Sequence, residues 1–344
     1  MADVPIVRPA GLSRRRDDPL LAVSPVLGVD LRGPVTDVGP LDGDRILAGV
    51  GPVAPGWETL AAQLDVTFVP RDAGPPTVTV EDPERALAEL GAAAAAAPRA
   101  ATTLAGLLRW SGTLPVHAAL DAESFAYSTL LGGTEFRAWL DGRGARPLPP
   151  DVAEPVRVER HGTELRLTLD RPQRRNAYGR RLRDALVDAL DIALLDGSIE
   201  RVLLTGAGPA FCSGGDLDEF GTTPDLVTAH LVRTRGGAAR PLHALRDRVE
   251  VRLHGACVGA GIELPAFAGR VVAAPDTTIR LPEVAMGLIP GAGGTVSIPR
   301  RIGRHRTLHL ALTGTPLPVA TAREWGLVDE VSGVDEVSGV DEVS

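Results

Sequence analysis

His254-Gly-Ala-Cys-Val-Gly-Ala-Gly-Ile-Glu263-Leu264 and, further along, Leu281-Pro-Glu283-Val-Ala-Met-Gly-Leu-Ile-Pro290-Gly-Ala-Gly-Gly-Thr295 each set one carboxylate in a glycine-rich turn. A third segment, Pro209-Ala-Phe-Cys-Ser-Gly214-Gly215-Asp216-Leu217, reads as the end of a strand opening into a helix. Glycine lets the backbone approach a ligand with no Cβ in the way. If a helix begins near Asp216, the Gly215 N–H is one of the unsatisfied donors at a helix start, where the dipole favours negative charge. The Ala260 N–H stands in the same relation to a short helix expected over 259–267. Two such donors on one carbonyl oxygen make an oxyanion hole, and losing one costs about 3–4 kcal/mol of transition-state stabilisation. Two carboxylates and two free donors are the equipment for stabilising an enolate and moving protons around it.

Outward from these turns the pattern is one of strands and helices. Val156–Arg160 and Glu164–Leu169 alternate apolar and polar residues around His161-Gly162, a hairpin signal. Leu182, Leu186, Leu190 and Leu194, at spacing four, predict a helix over Gly179–Leu195. Short strands are expected at Arg201–Thr205, Val249–Leu253 and Arg270–Ala274, with a polar helix over Pro224–Leu245. Repeated strand–strand–helix units mark an α/β fold whose turns present backbone groups at one end.

Residues 1–152 read differently. They are rich in Pro and Gly up to Gly56, broken by short apolar runs such as Arg45–Val50. Helical periodicity then covers Trp57–Leu64, Glu84–Ala97 behind an Asp82-Pro83 start signal, Ala100–Trp110, Ala122–Leu131 and Glu135–Leu140. Gly142, Gly144, Pro147, Pro149 and Pro150 mark a boundary. The expected organisation is a mainly helical N-terminal extension (1–152), an α/β domain (153–330) and an acidic repeat tail (331–344). The repeat is Val328-Asp-Glu-Val-Ser-Gly333, which recurs over 334–339 and, cut short, over 340–344. No packed element is expected in these hexads.

Bulk composition excludes several function classes. A chain of 344 residues fits about two domains, and a net charge of -8 argues against a nucleic-acid partner. All 36 basic residues are arginine, which excludes Schiff-base and lysine-nucleophile chemistry. Cys212 and Cys257, with no CxxC and no paired histidines, exclude a conventional zinc cluster, so no metal and no separate cofactor is expected. Residues 1–20 lack the apolar centre of a signal peptide, and no apolar run reaches the length of a membrane span. A cytoplasmic protein without a membrane partner is the reading.

Residues of about 155–330 resemble the crotonase (enoyl-CoA hydratase/isomerase) superfamily. The matches are Arg171-Pro172…Asn176-Ala177, Ala210–Leu217, Gly255…Gly259-Ala-Gly-Ile-Glu-Leu264, Leu281-Pro-Glu…Gly287–Thr295, Leu312-Thr-Gly314 and Ala322–Leu327. The resemblance implies a crotonase-like spiral of ββα units acting on an acyl-CoA thioester. Coenzyme A would then arrive as part of the substrate. It implies that Gly215 and Ala260 supply the oxyanion N–H groups, and that Glu263 and Glu283 flank one water. It also implies that the loops carrying Arg174, Arg175, Ala177, Ser213, Gly214, Asp216 and Leu217 line the coenzyme A site.

Both family glutamates have counterparts here, which favours reversible hydration of a trans-2-enoyl-CoA. Isomerisation, thioester hydrolysis, cofactor-free oxygenation and non-catalytic acyl-CoA binding are the alternatives. A homo-oligomer built on trimers is implied. The family core normally continues into helices that cover the acyl-CoA and knit the trimer. Here the hexads follow, so weakened trimerisation is expected unless the N-terminal helices cover the same surface. The helices around Glu123–Leu131 and Glu135–Trp139, with Leu190–Leu195, are similar to the cofactor-independent dioxygenase branch, although that branch lacks the counterpart of Glu283.

Other residues read as structural. Asp216 fits a cap that orders its loop. Cys212 and Cys257, with no adjacent histidine, fit small buried residues rather than nucleophiles. His254 fits a turn histidine at a strand end. Arg171, Arg174 and Arg175 fit either a solvated loop or contacts to the coenzyme A phosphates, for which guanidinium geometry is suited. Tyr127, Trp110 and Trp139 fit the core of the N-terminal extension.

Overall fold

The computed structural model describes residues 4–8, 24–33, 45–52, 56–74, 76–144, 146–148 and 153–333. Ahead of the expected helices lies a parallel sheet. Its strands are β1 (Ile6–Val7), β2 (Val26–Asp30), β3 (Ile46–Val50), β4 (Val66–Val69) and β5 (Val78–Thr79), neighbours in chain order and parallel in every pair. The short helix α1 (Glu58–Gln63) crosses from β3 to β4. β3 and β4 are buried along their whole length, as strands covered on both faces are. Such strands show no alternation, so the sequence presents them only as short apolar runs.

Four helices follow. α2 (Pro83–Ala96) is capped by the Asp82 side chain, which accepts from Arg85 N. α3 (Pro98–Ser111), α4 (Val116–Leu131) and α5 (Thr134–Arg143) complete the set. α4 starts directly behind Pro115, ahead of the Ala122 expected from periodicity. Trp110 is 53% exposed rather than part of a core, whereas Trp139 packs against the core margin.

The second sheet opens with the expected hairpin, β6 (Val156–His161) antiparallel to β7 (Glu164–Leu169). α6 (Arg180–Leu195) buries Leu182, Leu186 and Leu190, and β8 (Arg201–Gly206) adds to β7 in parallel. The polar helix expected over 224–245 breaks at Gly236-Gly237 into α7 (Leu226–Gly236) and α8 (Ala239–Ala244), with Gly237 extended. β9 (Val249–Leu253) leads through β10 (Ala256–Val258) to α9 (Ala260–Glu263). Pro265 then tightens the chain into a 3-10 turn over Pro265–Phe267.

β11 (Arg270–Ala273), β12 (Thr278–Arg280), α10 (Gly294–Thr313, kinked at Gly303 with φ 81°), β13 (Leu317–Pro318), α11 (Val319–Trp325) and β14 (Glu330–Val331) finish the described chain. The strand order is β14-β11-β9-β8-β7-β6, with a separate layer β10-β12-β13. The first hexad is therefore packed, contrary to expectation. Val328 is buried, Asp329 N donates to Val271 O at 2.8 Å, and Glu330–Val331 pairs with β11. The further copies lie outside the described residues.

One apolar core runs from Val26 through Val328, so the N-terminal elements and the α/β domain share it. α3 and α4 pack on α10, where Ser111 Oγ donates to Thr295 O at 3.0 Å and Arg300 Nη2 donates to Leu114 O at 2.8 Å. Buried Asp65, just ahead of β4, takes the Leu47 N–H and the Arg109 guanidinium and pairs with Arg304 of α10.

Candidate active site

The two glycine segments are brought side by side by backbone pairing. Cys212 N donates to Ala256 O and Val258 N donates to Cys212 O, so the 210–213 segment runs along β10. A Cβ on Gly261 would lie 2.3 Å from Cys212 O, and one on Gly214 (φ 94°) would lie 2.9 Å from Val258 O. No larger residue fits this approach. Tyr178 pairs with the Gly214 carbonyl and the Asp216 N–H, which turns the intervening Gly215 N–H away from that bridge. Ala260 opens α9, whose Ile262 and Glu263 N–H groups return to Gly259 O, leaving the Ala260 N–H at the helix start. Gly215 and Ala260 both border a cavity of about 460 Å³, a size suited to a small organic ligand.

Glu263 and Glu283 border the same cavity. They converge at Gly259, whose left-handed backbone (φ 50°) leaves room for them. A Cβ there would lie 2.4 Å from Glu283 Oε1 and 3.7 Å from Glu263 Oε1. Glu263 Oε2 accepts from Ala292 N (2.7 Å) and Gly294 N (2.9 Å), so the glycines of the Gly287–Thr295 run orient it. Glu283 Oε2 is buried with no protein partner. Burial, then the charges of Glu283 and Glu123, holds the Glu263 carboxyl well above its ordinary range. Burial pushes Glu283 up to about 7. Close carboxylates out of water retain a proton between them. Two N–H donors orient Glu263, whereas Glu283 Oε2 has no protein donor.

A third carboxylate was not singled out from the sequence. Glu123 of α4 accepts from Gly293 N (2.7 Å), Thr295 N (2.9 Å) and Thr295 Oγ1 (2.7 Å), and burial pushes it up to about 7. Glu123 and Glu263 thus grip alternate N–H groups of one turn at the start of α10. The available signal was the spacing of Glu123 and Tyr127, four residues apart, which puts two polar groups on one helical face. Tyr127 is likewise not plain core: it lines the cavity, and its ring abuts Gly291, where a Cβ would meet it at 2.3 Å.

Of the residues expected at coenzyme A, Asp216 borders the cavity, while Arg174, Arg175, Ala177, Ser213, Gly214 and Leu217 sit on two interlocked loops and do not line it. Asp216 accepts from Asp218 N and pairs with Arg171 (3.0 Å) and Arg174 (2.5 Å), which makes it a loop-ordering cap. Arg174 also holds Asp218 at 2.7 Å, so its guanidinium is committed within the loops. Arg175 is exposed and left-handed, and its carbonyl accepts from Ser213 N. Buried Asn176 donates to Ala207 O and Ala210 O and pins the loops together. Leu217 O accepts from Arg143 Nη1.

Burial pushes the Cys212 thiol up to about 12 and the Cys257 thiol well above its ordinary range, so neither is a nucleophile. His254 Nε2 meets Gly208 O at 2.9 Å, a turn contact. No helix among the described residues is long and apolar enough to cross a membrane, and they hold no cluster of metal-ligating side chains.

The family model for enoyl-CoA hydratase/isomerase matches residues 159–341. A 1,2-epoxyphenylacetyl-CoA isomerase of Escherichia coli is 36% identical over 172 residues, which is 48% of this chain and 65% of that protein. A 2,3-dehydroadipyl-CoA hydratase of the same organism is 36% identical over 174 residues, covering 51% and 68%. Among solved structures, an enoyl-CoA hydratase/isomerase from Mycobacterium abscessus is 30% identical with a TM-score of 0.50, covering 54% of this chain and 73% of that one. DspI of Pseudomonas aeruginosa is 27% identical with a TM-score of 0.51, covering 56% and 74%. The chain spans about two thirds of the length of the curated relatives it matches, and just under that share of the first.

Proposed function

Because the chain belongs to the enoyl-CoA hydratase/isomerase family, within the crotonase superfamily, we propose that it catalyses reversible addition of water to a trans-2-enoyl-CoA. The observation that carries this reading is the convergence of Glu263 and Glu283 on a cavity bordered by Gly215 and Ala260. The thioester oxygen sits between the Gly215 and Ala260 N–H groups, which act as the oxyanion hole. A water lies between the carboxylates. Ionised Glu263 takes its proton while the water oxygen bonds to the β-carbon. The π electrons move to the enolate held in the oxyanion hole, and protonated Glu283 delivers its proton to the α-carbon. The proton gained by Glu263 then passes back to Glu283 through solvent, which restores the pair.

No separate cofactor is needed in this scheme, and coenzyme A enters with the substrate. The loops around Asp216 support the coenzyme A end. A trimer-based assembly in the cytoplasm is part of the proposal, and sedimentation of the full chain tests the assembly. The chemistry is tested by loss of the conjugated enoyl-thioester absorbance. Turnover that fails in Glu263→Gln and Glu283→Gln supports hydration. Turnover dependent on Glu283 alone points to an isomerase, and stoichiometric binding without turnover points to a silent acyl-CoA-binding protein.

A further inference from the structure

The wall of the cavity contributed by α4 and α7 carries a cation with no ion-pair partner among the described residues, although the charge of Glu123 bears on it. Arg233 of α7 places its guanidinium 4.5 Å from the centre of the Tyr127 ring. Its Nε donates to Ser124 Oγ at 3.2 Å, and Nη2 donates to Ser128 Oγ and, at 3.4 Å, to Ser124 O. All three acceptors are neutral. Among the described residues Arg233 forms no ion pair, and its Nη1 has no partner yet is not sealed in protein. Of the other arginines that border the cavity, Arg240 pairs with Asp121 at 2.6 Å and Arg183 with Asp184 at 2.6 Å, while Arg180 is exposed to water and meets Glu219 through its backbone N–H. Glu123, the acid on the same wall, is turned into the start of α10 and taken by three donors there.

Burial holds Arg233 below its ordinary range despite the opposing charges of Tyr127 and Glu123, so a guanidinium drawn partly out of water without an ion pair is under-compensated. A carboxylate is the ligand group that its planar N–H array matches. Position matters as much as charge. The Tyr127 ring carries the Arg233 guanidinium and also touches Gly291, the neighbour of Ala292 whose N–H Glu263 accepts, so the tyrosine links the cation to the turn that orients Glu263. Leu120 and Leu131 supply apolar wall beside it. An acyl chain that starts at the oxyanion hole and runs along Tyr127 therefore meets apolar surface first and a cation last.

We infer that the acyl group ends in a carboxylate held by Arg233, so that the substrate class is the coenzyme A monothioester of a short unsaturated dicarboxylic acid. This rests on the acyl-CoA reading of the cavity, and binding can be measured apart from turnover. Calorimetric titration of the full chain with adipyl-CoA and hexanoyl-CoA compares two saturated six-carbon thioesters that differ in the distal group. Glutaryl-CoA and pentanoyl-CoA repeat the comparison at a second length. The carboxylate should tighten binding by about ten- to hundredfold at one length or both, the worth of a charge-assisted hydrogen bond. Arg233→Met should erase that ratio and Arg233→Lys should retain part of it, with melting curves showing that both variants fold. Equal or weaker binding of the dicarboxylic thioesters at both lengths overturns the inference, as does a preference that survives Arg233→Met. A preference without turnover of the matching enoyl-CoA keeps the inference and sinks hydration. Turnover of neutral enoyl-CoA with no carboxylate preference does the reverse, and failure to bind any of the four thioesters overturns both.

Discussion

Glu123 is the carboxylate on which the N-terminal helices and the catalytic turn meet, and a glutamine there separates its hydrogen bonding from its charge. Its oxygens take three donors, Gly293 N, Thr295 N and Thr295 Oγ1. Glutamine offers one carbonyl oxygen and turns an NH2 group toward whatever remains. The better orientation keeps both Thr295 bonds and leaves the Gly293 N–H facing another donor. A buried donor without an acceptor costs about 1–3 kcal/mol. At roughly 2–4 °C per kcal/mol for mid-sized domains, the melting temperature should fall by several degrees.

The charge effect has a definite sign. Burial, Glu283 and Glu123 hold Glu263 up, in that order, so neutralising Glu123 lowers the Glu263 pKa. If the reaction needs ionised Glu263, the acidic limb of the kcat/KM profile moves to lower pH in Glu123→Gln. Thermal melts and a pH–rate profile of the one variant read both effects. Unchanged melting together with an unmoved acidic limb would refute the assignment of Glu123 as the residue that positions and biases Glu263.

Glu263→Gln and Glu283→Gln keep shape but remove proton transfer, and each should lower kcat by at least about a hundredfold; solvent-deuterium exchange at the α-carbon should suffer more from the Glu283 change. Gly259→Ala places a methyl 2.4 Å from Glu283 Oε1 on a left-handed backbone, so it should cut kcat far more than affinity for a saturated acyl-CoA; parent-like turnover would detach Glu283 from the reaction. His309 is buried edge-on to Phe68, and burial holds it down to about 4 from an ordinary 6.5. A depressed histidine contributes stability above its ordinary value that is lost as pH falls toward 4, about 3 kcal/mol for a shift of this size. His309→Phe should therefore gain on the parent in melting temperature from pH 7 to pH 4, and a constant gap across that range counts against the neutral buried histidine.

The α/β domain was legible because its signals are local. The β6–β7 hairpin announces itself by alternation, and α6 by leucines at spacing four. The helix start at Asp82-Pro83 carries its own cap. Glu263 and Glu283 could be chosen because each sits in a glycine turn whose backbone conformation is itself a sequence signal. Features that depend on distant partners were not legible. β2, β3 and β4 are covered on both faces, so no alternation marks them. Arg174 could reach either solvent or phosphate by sequence, and only the approach of Asp216 and Asp218 commits it to the loops. Glu330 and Val331 look like repeat tail until β11 offers an unpaired edge. Glu123 lies 170 positions from the Gly293 N–H that it accepts, a separation that no periodicity can encode.

That last distance bears on what similarity can transfer to this chain. The family match begins at residue 159, yet Leu120, Glu123, Tyr127 and Leu131 form one wall of the cavity and Glu123 grips the same turn as Glu263. The matched stretch carries the proposed oxyanion donors Gly215 and Ala260 and the proposed reacting carboxylates Glu263 and Glu283. The wall proposed to face the acyl chain comes from α4, before the match, together with α7 within it. Relatives can therefore agree on the reaction while leaving the acyl group undetermined. Two classes of substitution should separate accordingly. Changes at Gly259, Glu263 or Glu283 should depress turnover of every acyl-CoA alike, because each acyl chain shares one thioester. Changes at Tyr127 or Arg233 should reorder preference among acyl chains. A Tyr127→Phe variant that lowered all substrates by one factor, without altering their ranking, would place that wall in the reaction itself and remove the division.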